Sequence, residues 1–130
     1  MNQNPWENVN WKGKRILIAE DEEVNMMFFQ EVLEDTGVEI IKATDGLQAV
    51  DLFTNNKVDL VLMDIKMPVM NGLDATQKIK QLNASIPIVA QTAYAMEDEK
   101  QRCFDAGCDD YISKPIDTIR LFAILKKYLR

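Results

Sequence analysis

The sequence contains no histidine and only two cysteines in 130 residues. Without histidine, the chain has no imidazole base and no zinc–histidine site, and it cannot itself carry a phosphohistidine. Cys103 and Cys108 lie close together without the spacing of metal ligands. We therefore expect two reduced, partly buried thiols, and any histidine chemistry must come from a partner.

A long apolar run and an excess of basic residues are also absent. No run approaches the roughly 18 apolar residues of a membrane span. The polar segment from Met1 to Trp11 lacks the basic and then apolar pattern of a signal peptide. The net charge of −6 argues against a basic surface for nucleic acid. The sequence predicts a cytoplasmic domain without a membrane segment and without direct nucleic-acid binding.

Short apolar runs and helical patterns alternate five times along the chain. Predicted helices follow each strand, at 22–36, after Gly46, after Asn71, at 93–106 and after Asp117. This alternation predicts a parallel sheet with right-handed crossovers, covered by helices on both faces. We expect a three-layer α/β sandwich over residues 12–130, preceded by a tail or linker remnant at 1–11. The predicted strands are 15–19, 38–43, 60–64, 86–92 and 110–113.

The third of these strands ends on a carboxylate. Leu60 to Met63 form an unbroken apolar run, as expected for a central strand buried on both faces. Asp64 follows at once, and Pro68 forces the chain to turn. In open α/β sheets, ligands bind at this carboxyl edge. Taken alone, Asp64 would more often be a turn-capping residue.

Four strands end in polar residues, which are Glu20–Asp21, Asp64, Thr92 and Lys114. The ends of parallel strands share one edge, so these side chains can converge. Three carboxylates together repel one another unless Lys114 or a hard cation compensates, and an oxygen-rich cluster favours Mg²⁺. Such a site suits a phosphoryl group, with Asp64 as the nucleophile. The alternative is that each residue is a separate cap or surface charge.

These residues lie in motifs that resemble the receiver domain of two-component response regulators. The resemblance covers about Lys12 to Arg130 and implies a flavodoxin-like fold with strand order 2-1-3-4-5. It also implies a phosphoacceptor domain rather than an enzyme. The matching segments are Ile16-Leu17-Ile18-Ala19-Glu20-Asp21, Leu62-Met63-Asp64-Ile65-Lys66-Met67-Pro68-Val69-Met70-Asn71-Gly72, Thr92-Ala93-Tyr94-Ala95 and Tyr111-Ile112-Ser113-Lys114-Pro115.

The resemblance assigns four residues to phosphorylation and metal binding. Asp64 corresponds to the phosphoacceptor. Asp21 would bind Mg²⁺ directly and Glu20 through water, and the backbone carbonyl of Lys66 would be a further ligand. Two positions depart from the commonest pattern. Aspartate is also common where Glu20 stands, and the Lys66 side chain, if it points inward, would alter the lifetime of the phosphoryl group.

The resemblance also implies a switch. Thr92 would move onto the phosphoryl group, Lys114 would contact it before a cis bond to Pro115, and Tyr111 would then turn inward. The surface formed by the fourth helix, the fifth strand and the last helix would report phosphorylation. Possible contacts on that surface are Lys100, Arg102, Asp109 and Arg120.

The expected partner is a histidine kinase or a histidine phosphotransfer domain. The chain resembles either a single-domain regulator or the receiver of a hybrid kinase, and Trp11-Lys12-Gly13-Lys14 and residues 92–96 favour the hybrid kinase. We expect no DNA-binding output domain. We also expect a monomer or a weak dimer. On the first helix, Met26, Met27, Phe28 and Phe29 cannot all face the sheet. We expect at least one to be exposed and to dock a donor helical bundle, with Met26 and Phe29 as the positions to test.

Three rival functions fit less well. A haloacid dehalogenase-type phosphohydrolase wants a second aspartate where Lys66 stands, together with a cap insertion. A flavodoxin-like FMN module wants a glycine- and hydroxyl-rich loop, but Glu20-Asp21-Glu22-Glu23 would repel a phosphate unless a metal intervenes. A degenerate receiver that only binds partners is disfavoured because every site residue is present.

Overall fold

The computed structural model describes residues 9–93 and 96–129. Five parallel strands form one sheet in the order β2-β1-β3-β4-β5, which confirms the predicted flavodoxin-like topology. The strands are β1 Arg15–Ala19, β2 Glu39–Ala43, β3 Leu60–Asp64, β4 Ile88–Thr92 and β5 Asp110–Ser113. The helices are α1 Glu23–Leu33, α2 Gly46–Asn55, α3 Gly72–Leu82, α4 Glu97–Ala106 and α5 Thr118–Tyr128.

Alternate residues of each strand pack into two separate cores. In β3, Val61 and Met63 belong to the core beneath α2, α3 and α4, whereas Leu60 and Leu62 belong to the core beneath α1 and α5. All five residues of β3 are buried. This explains the unbroken apolar run, because a central parallel strand has a helix layer on each face.

Side-chain caps and glycines fix several helix ends. Asp45, Asn71 and Asp117 accept backbone N–H groups at the first turns of α2, α3 and α5. Gly37 and Gly107 have positive φ angles of 81° and 112° where the chain leaves the first and fourth helical segments. The first helix ends at Leu33 and continues as a 3₁₀ turn over Glu34–Thr36, inside the predicted range of 22–36.

The predicted start of the fourth helix at Ala93 is wrong. Met96 is extended, with φ −83° and ψ 155°, and α4 begins at Glu97. The acidic first turn of α4 suits the positive end of a helix, whereas the prediction extended the helix over the preceding alanine-rich segment. Tyr94 and Ala95, which the resemblance also uses, lie outside the described residues.

Helical spacing in the sequence predicts Leu47 on the apolar face of α2 with Phe53, and Leu82 on that of α3 with Ile79, but both leucines point away from the core. Leu47 in α2 and Leu82 in α3 are exposed, and the buried faces carry Ala49 and Ala75 instead. The two helices pack against each other as well as against the sheet. Small side chains permit this close approach, so the larger leucines lie outside it.

Trp11, placed in the tail by the sequence, belongs to the packed domain. Its side chain is buried and stacks on Phe122 of α5 with the ring centroids 5.8 Å apart. Its backbone N–H donates to the carbonyl of Thr36 at 2.7 Å. The packed domain therefore includes Trp11, which the predicted boundary at residue 12 left in the tail.

Candidate functional site

The carboxyl edge of the sheet collects the polar residues that follow or end four strands. Glu20 follows β1, Asp64 ends β3, Thr92 ends β4 and Lys114 follows β5. The predicted convergence of these side chains is confirmed, because Lys114 contacts Glu20 and Asp64, and Thr92 lines the same cavity as Asp64. A cavity of about 800 Å³ opens here, and its lining includes Asp21, Asp64, Thr92, Lys114 and Phe28.

Lys114 connects two of the carboxylates. Its ammonium donates to Asp64 Oδ2 at 2.8 Å and to Glu20 Oε1 at 3.1 Å. Burial by itself lowers the pKa of Lys114, but the hydrogen bonds and charges of Asp64 and Glu20 outweigh this effect and raise it. Lys114 is therefore a firmly charged cation between two acidic groups. The peptide bond from Lys114 to Pro115 is cis, as the resemblance implied.

Glu20 is the most deeply buried acid of the site, with 1% of its surface exposed. Its pKa is raised from 4.5 to about 7, and burial is the largest cause of the rise. The Glu22 N–H, which donates to Glu20 Oε2 at 3.2 Å, lowers the pKa, the Asp64 charge raises it, and Lys114 lowers it. A proton therefore competes with any cation for this carboxylate near neutral pH.

Glu20, Asp21 and Asp64 form an oxygen cluster suited to a hard cation. One carboxylate oxygen from each residue lies within 4.8 Å of the other two. Asp21 is exposed and opens the cluster to solvent, whereas the other two residues are buried. Oxygen ligands without nitrogen or sulfur, next to an open side, fit Mg²⁺ that keeps several of its waters.

The loop between β3 and α3 fixes the backbone around Asp64. The Lys66 N–H donates to Asp64 Oδ1 at 3.2 Å, while the Lys66 side chain is exposed. The Gly72 N–H donates to the Ile65 carbonyl at 2.8 Å, and a Cβ at Gly72 would collide with the Asp64 carbonyl. Only glycine fits here, which explains the glycine that follows Asn71.

Thr92 and Tyr111 lie on the neighbouring strands β4 and β5, and Tyr111 contacts α4. Thr92 is buried, and its carbonyl accepts the Lys114 N–H at 2.8 Å. Tyr111 is half-buried and meets Phe104 of α4 edge to face, with the ring centroids 6.2 Å apart. The Lys100 ammonium lies 4.7 Å from the centre of the Tyr111 ring. Tyr111 thus links the end of β5 to two residues of α4.

Three residues that the sequence placed on interaction surfaces lie elsewhere. Asp109 accepts the Lys80 ammonium at 2.7 Å and the Ile88 N–H at 2.8 Å, at the amino edge of the sheet. Met26 and Phe29 are buried beneath α1, because these positions of the helix face the sheet. The exposed member of the apolar quartet is Met27, as the helical geometry requires, with 57% of its surface accessible.

Two thiols and one amide are also buried near the sheet. Cys103 and Cys108 are free, as predicted, but both are buried rather than partly buried. Burial raises the pKa of Cys108 to about 12 and also raises that of Cys103. Gln91, which sequence reasoning missed, is buried beside Asp64. The available signal was a long polar residue inside a strand that is otherwise apolar up to Thr92.

A family model for the response regulator receiver domain matches residues 16–126. The chain belongs to the receiver domain family. Its relatives include the polar-differentiation response regulator DivK of Brucella anthropi, which is 41% identical over 118 residues, or 89% of this chain and 96% of DivK. This receiver assignment replaces the phosphohydrolase and FMN-binding alternatives.

Solved receivers have the same fold. The receiver domain of the sensor histidine kinase PA1611 from Pseudomonas aeruginosa, with a magnesium ion coordinated in its active-site cleft, superposes with a TM-score of 0.83 at 33% identity, covering 89% of this chain and 97% of that one. The chemotaxis protein CheY4 of Vibrio cholerae has a TM-score of 0.84 at 24% identity, covering 89% and 98% of the two chains, and shows the fold alone. The domain is a receiver of two-component signal transduction.

Among the described residues, no helix combines the length and apolar character needed to cross a membrane.

Proposed function

We propose that Asp64 accepts a phosphoryl group from a phosphohistidine on a histidine kinase or histidine phosphotransfer domain. The observation that carries this proposal is the Lys114 ammonium, held at 2.8 Å from Asp64 and 3.1 Å from Glu20. A carboxylate oxygen of Asp64 attacks phosphorus, the bond from phosphorus to the donor imidazole nitrogen breaks, and that nitrogen keeps the electron pair. Lys114 stabilises negative charge on the transferred group.

Glu20, Asp21, Asp64 and the carbonyl of Lys66 would hold Mg²⁺. When bound, this ion supplies positive charge that neutralises phosphoryl oxygens. The support is the oxygen-only cluster within 4.8 Å and the magnesium ion in the related receiver of PA1611. The charge of Asp64 is one of the causes that raise the pKa of Glu20. A bound cation would relieve this repulsion between the two carboxylates.

The switch uses Thr92 and Tyr111. Thr92 lines the same cavity as Asp64, so its hydroxyl can donate to a phosphoryl group on Asp64. A shift of Thr92 changes the space available to Tyr111, whose ring packs on Phe104 and Lys100 of α4. The surface of α4, β5 and α5 then reports phosphorylation. Arg102 and Arg120 are proposed contacts on this surface. We further propose that the domain is cytoplasmic, is a monomer or weak dimer, and does not bind nucleic acid directly.

Acetyl phosphate tests the phosphoacceptor without a protein donor. The protein is incubated with acetyl phosphate and Mg²⁺, and its intact mass is compared with that of Asp64→Asn. Asp51→Asn, an exposed carboxylate of α2, is the matched control. We expect one base-labile phosphoryl adduct in the wild type and the control and none in Asp64→Asn.

An adduct that persists in Asp64→Asn would place the phosphoacceptor elsewhere. Failure of the folded wild type to form an adduct or to bind beryllofluoride would leave a receiver that only docks partners.

A further inference from the structure

Gln91 carries a buried amide that the fold does not use. Its side chain is fully buried in β4, and neither amide atom has a hydrogen-bond partner within 9–93 and 96–129. Val89, two residues earlier and therefore on the same face, belongs to the apolar core beneath α1 and α5. A buried amide without partners destabilises a protein, whereas an apolar side chain of similar size does not. Stability therefore does not explain this glutamine.

The register of the sheet places Gln91 directly beside the proposed phosphoacceptor. Asp64 of β3 pairs with Gln91, and Gln91 pairs in turn with Ile112 of β5. Paired residues of parallel strands point to the same face of a sheet, so the three side chains form a row. Leu62, Val89 and Ile112 share one core, which identifies that face as the one covered by α1 and α5.

The Lys114 side chain must pass over the carboxyl end of β4 to reach Asp64 at the far end of this row. Lys114 lies two residues after Ile112, so its side chain starts from the same face, on the far side of β4 from β3. Neighbouring strands are about 4.8 Å apart, so roughly 10 Å separates the backbones of β5 and β3, and the Lys114 side chain, its hydrogen bond and the Asp64 carboxylate together bridge this distance over β4. The Lys114 ammonium ends 2.8 Å from Asp64 Oδ2. Gln91 is the residue of β4 that lies between the two ends of this span.

We propose that Gln91 is a positioning residue for phosphoryl transfer, whose amide oxygen accepts a hydrogen bond from one water molecule that in turn accepts one from the Lys114 ammonium. A lysine ammonium has three donors, and Asp64 and Glu20 take two of them. The water accepts from the third donor, and the amide oxygen that holds this water thereby holds the flexible lysine chain over β4. This inference rests on the proposed function, because the orientation of Lys114 matters only when Asp64 receives a phosphoryl group.

The test compares Gln91→Met, which keeps the length of the side chain but has no amide, with Val89→Ala on the same face of the same strand. Three quantities are measured, namely the melting temperature, the rate of phosphorylation by acetyl phosphate with Mg²⁺, and the Lys114 ammonium resonance in nitrogen-15 NMR spectra. In Gln91→Met we expect an unchanged or higher melting temperature, a shifted resonance and a phosphorylation rate lowered about fivefold. Val89→Ala should melt earlier and retain the wild-type resonance and rate.

A more stable Gln91→Met with a wild-type resonance and rate would overturn the inference and make Gln91 a passive buried amide. A similar loss of rate in Val89→Ala would also overturn it, because packing alone would then explain the effect. Failure of the wild type to be phosphorylated would contradict the proposed function instead. The ammonium resonance would still decide whether Gln91 orients Lys114.

Discussion

At the scale of single residues, the main conflict lies between burial and charge at Glu20. The carboxylate is almost completely buried and close to Asp64, and Lys114 only partly compensates, so its pKa rises to about 7. In the folded protein without a divalent cation, Glu20 therefore binds a proton more tightly than in the unfolded chain, where it titrates near 4.5. The burial of this carboxylate beside Asp64 suits cation binding, but it destabilises the folded protein when Glu20 is ionised and no cation is bound.

This difference predicts the sign of a pH effect on stability. The contribution of Glu20 to the free energy of unfolding is fully present below pH 4.5 and is lost as the pH rises through about 7. We expect the wild type, relative to Glu20→Gln, to lose about 1–3 kcal/mol between pH 5 and pH 8. Urea unfolding in a chelator at both pH values measures this change, and parallel pH curves for the two proteins would contradict it.

At the scale of elements, the loop between β3 and α3 contains an unfavourable backbone conformation. Val69 has a φ angle of 69°, a left-handed conformation that a β-branched residue rarely adopts, and 78% of its surface is exposed. The neighbouring turn places Gly72 against the backbone of Asp64. The conformation of this loop thus follows from the need to bring the chain back beneath Asp64.

Glycine at position 69 should therefore stabilise the protein. We expect Val69→Gly to raise the free energy of unfolding by up to about 1 kcal/mol, because relief of the strained φ angle exceeds the added entropy of the unfolded chain. Val24 in α1 is equally exposed, at 76%, but helical, so Val24→Gly should lower stability by about 0.5–1 kcal/mol. Denaturant unfolding of both variants gives the comparison, and two effects of the same sign would show that the φ angle of Val69 is not strained.

The first helix carries a second prediction at this scale. Met27 is exposed, and Val24 and Phe28 line the cavity that contains Asp64. We expect Met27→Glu to slow phosphoryl transfer from a phosphorylated histidine phosphotransfer domain about tenfold or more while leaving phosphorylation by acetyl phosphate unchanged, because only the protein donor docks on α1. Leu82→Glu, equally accessible on α3, is the control. Equal transfer rates for the two variants would rule out Met27 as part of the docking surface.

The elements differ in how far the sequence determines them. The limits of β1, β3 and β5 were predicted because each apolar run ends at charged or polar residues, and parallel topology then required Glu20, Asp64 and Lys114 to converge. The exposure of Leu47 and Leu82 was not predictable, because it depends on the contact between α2 and α3, which no local pattern encodes. Gln91 was missed because its importance depends on register with Asp64.

At the scale of the whole molecule, Trp11 connects the segment before β1 to the last helix. The ring stacks on Phe122, and the backbone N–H bonds to Thr36, so three distant segments meet at one residue. We expect Trp11→Ala to lower the free energy of unfolding by about 3 kcal/mol, whereas Trp11→Phe should cost about half as much because a ring remains. Thermal unfolding measures both, and a wild-type melting temperature for Trp11→Ala would show that the segment does not stabilise the domain.

Trp11 also fixes where the chain enters and leaves. Trp11 precedes β1, and α5 runs back towards the amino edge of the sheet, where the Tyr128 hydroxyl donates to the Asp109 carbonyl at 3.3 Å. Both ends of the described domain therefore lie opposite the edge that carries Asp64. A fluorescent protein, an affinity tag or a host protein joined at either end of the described domain would leave the edge that carries Asp64 open. The domain can therefore be fused between two other protein domains without blocking access of a phosphodonor protein to Asp64.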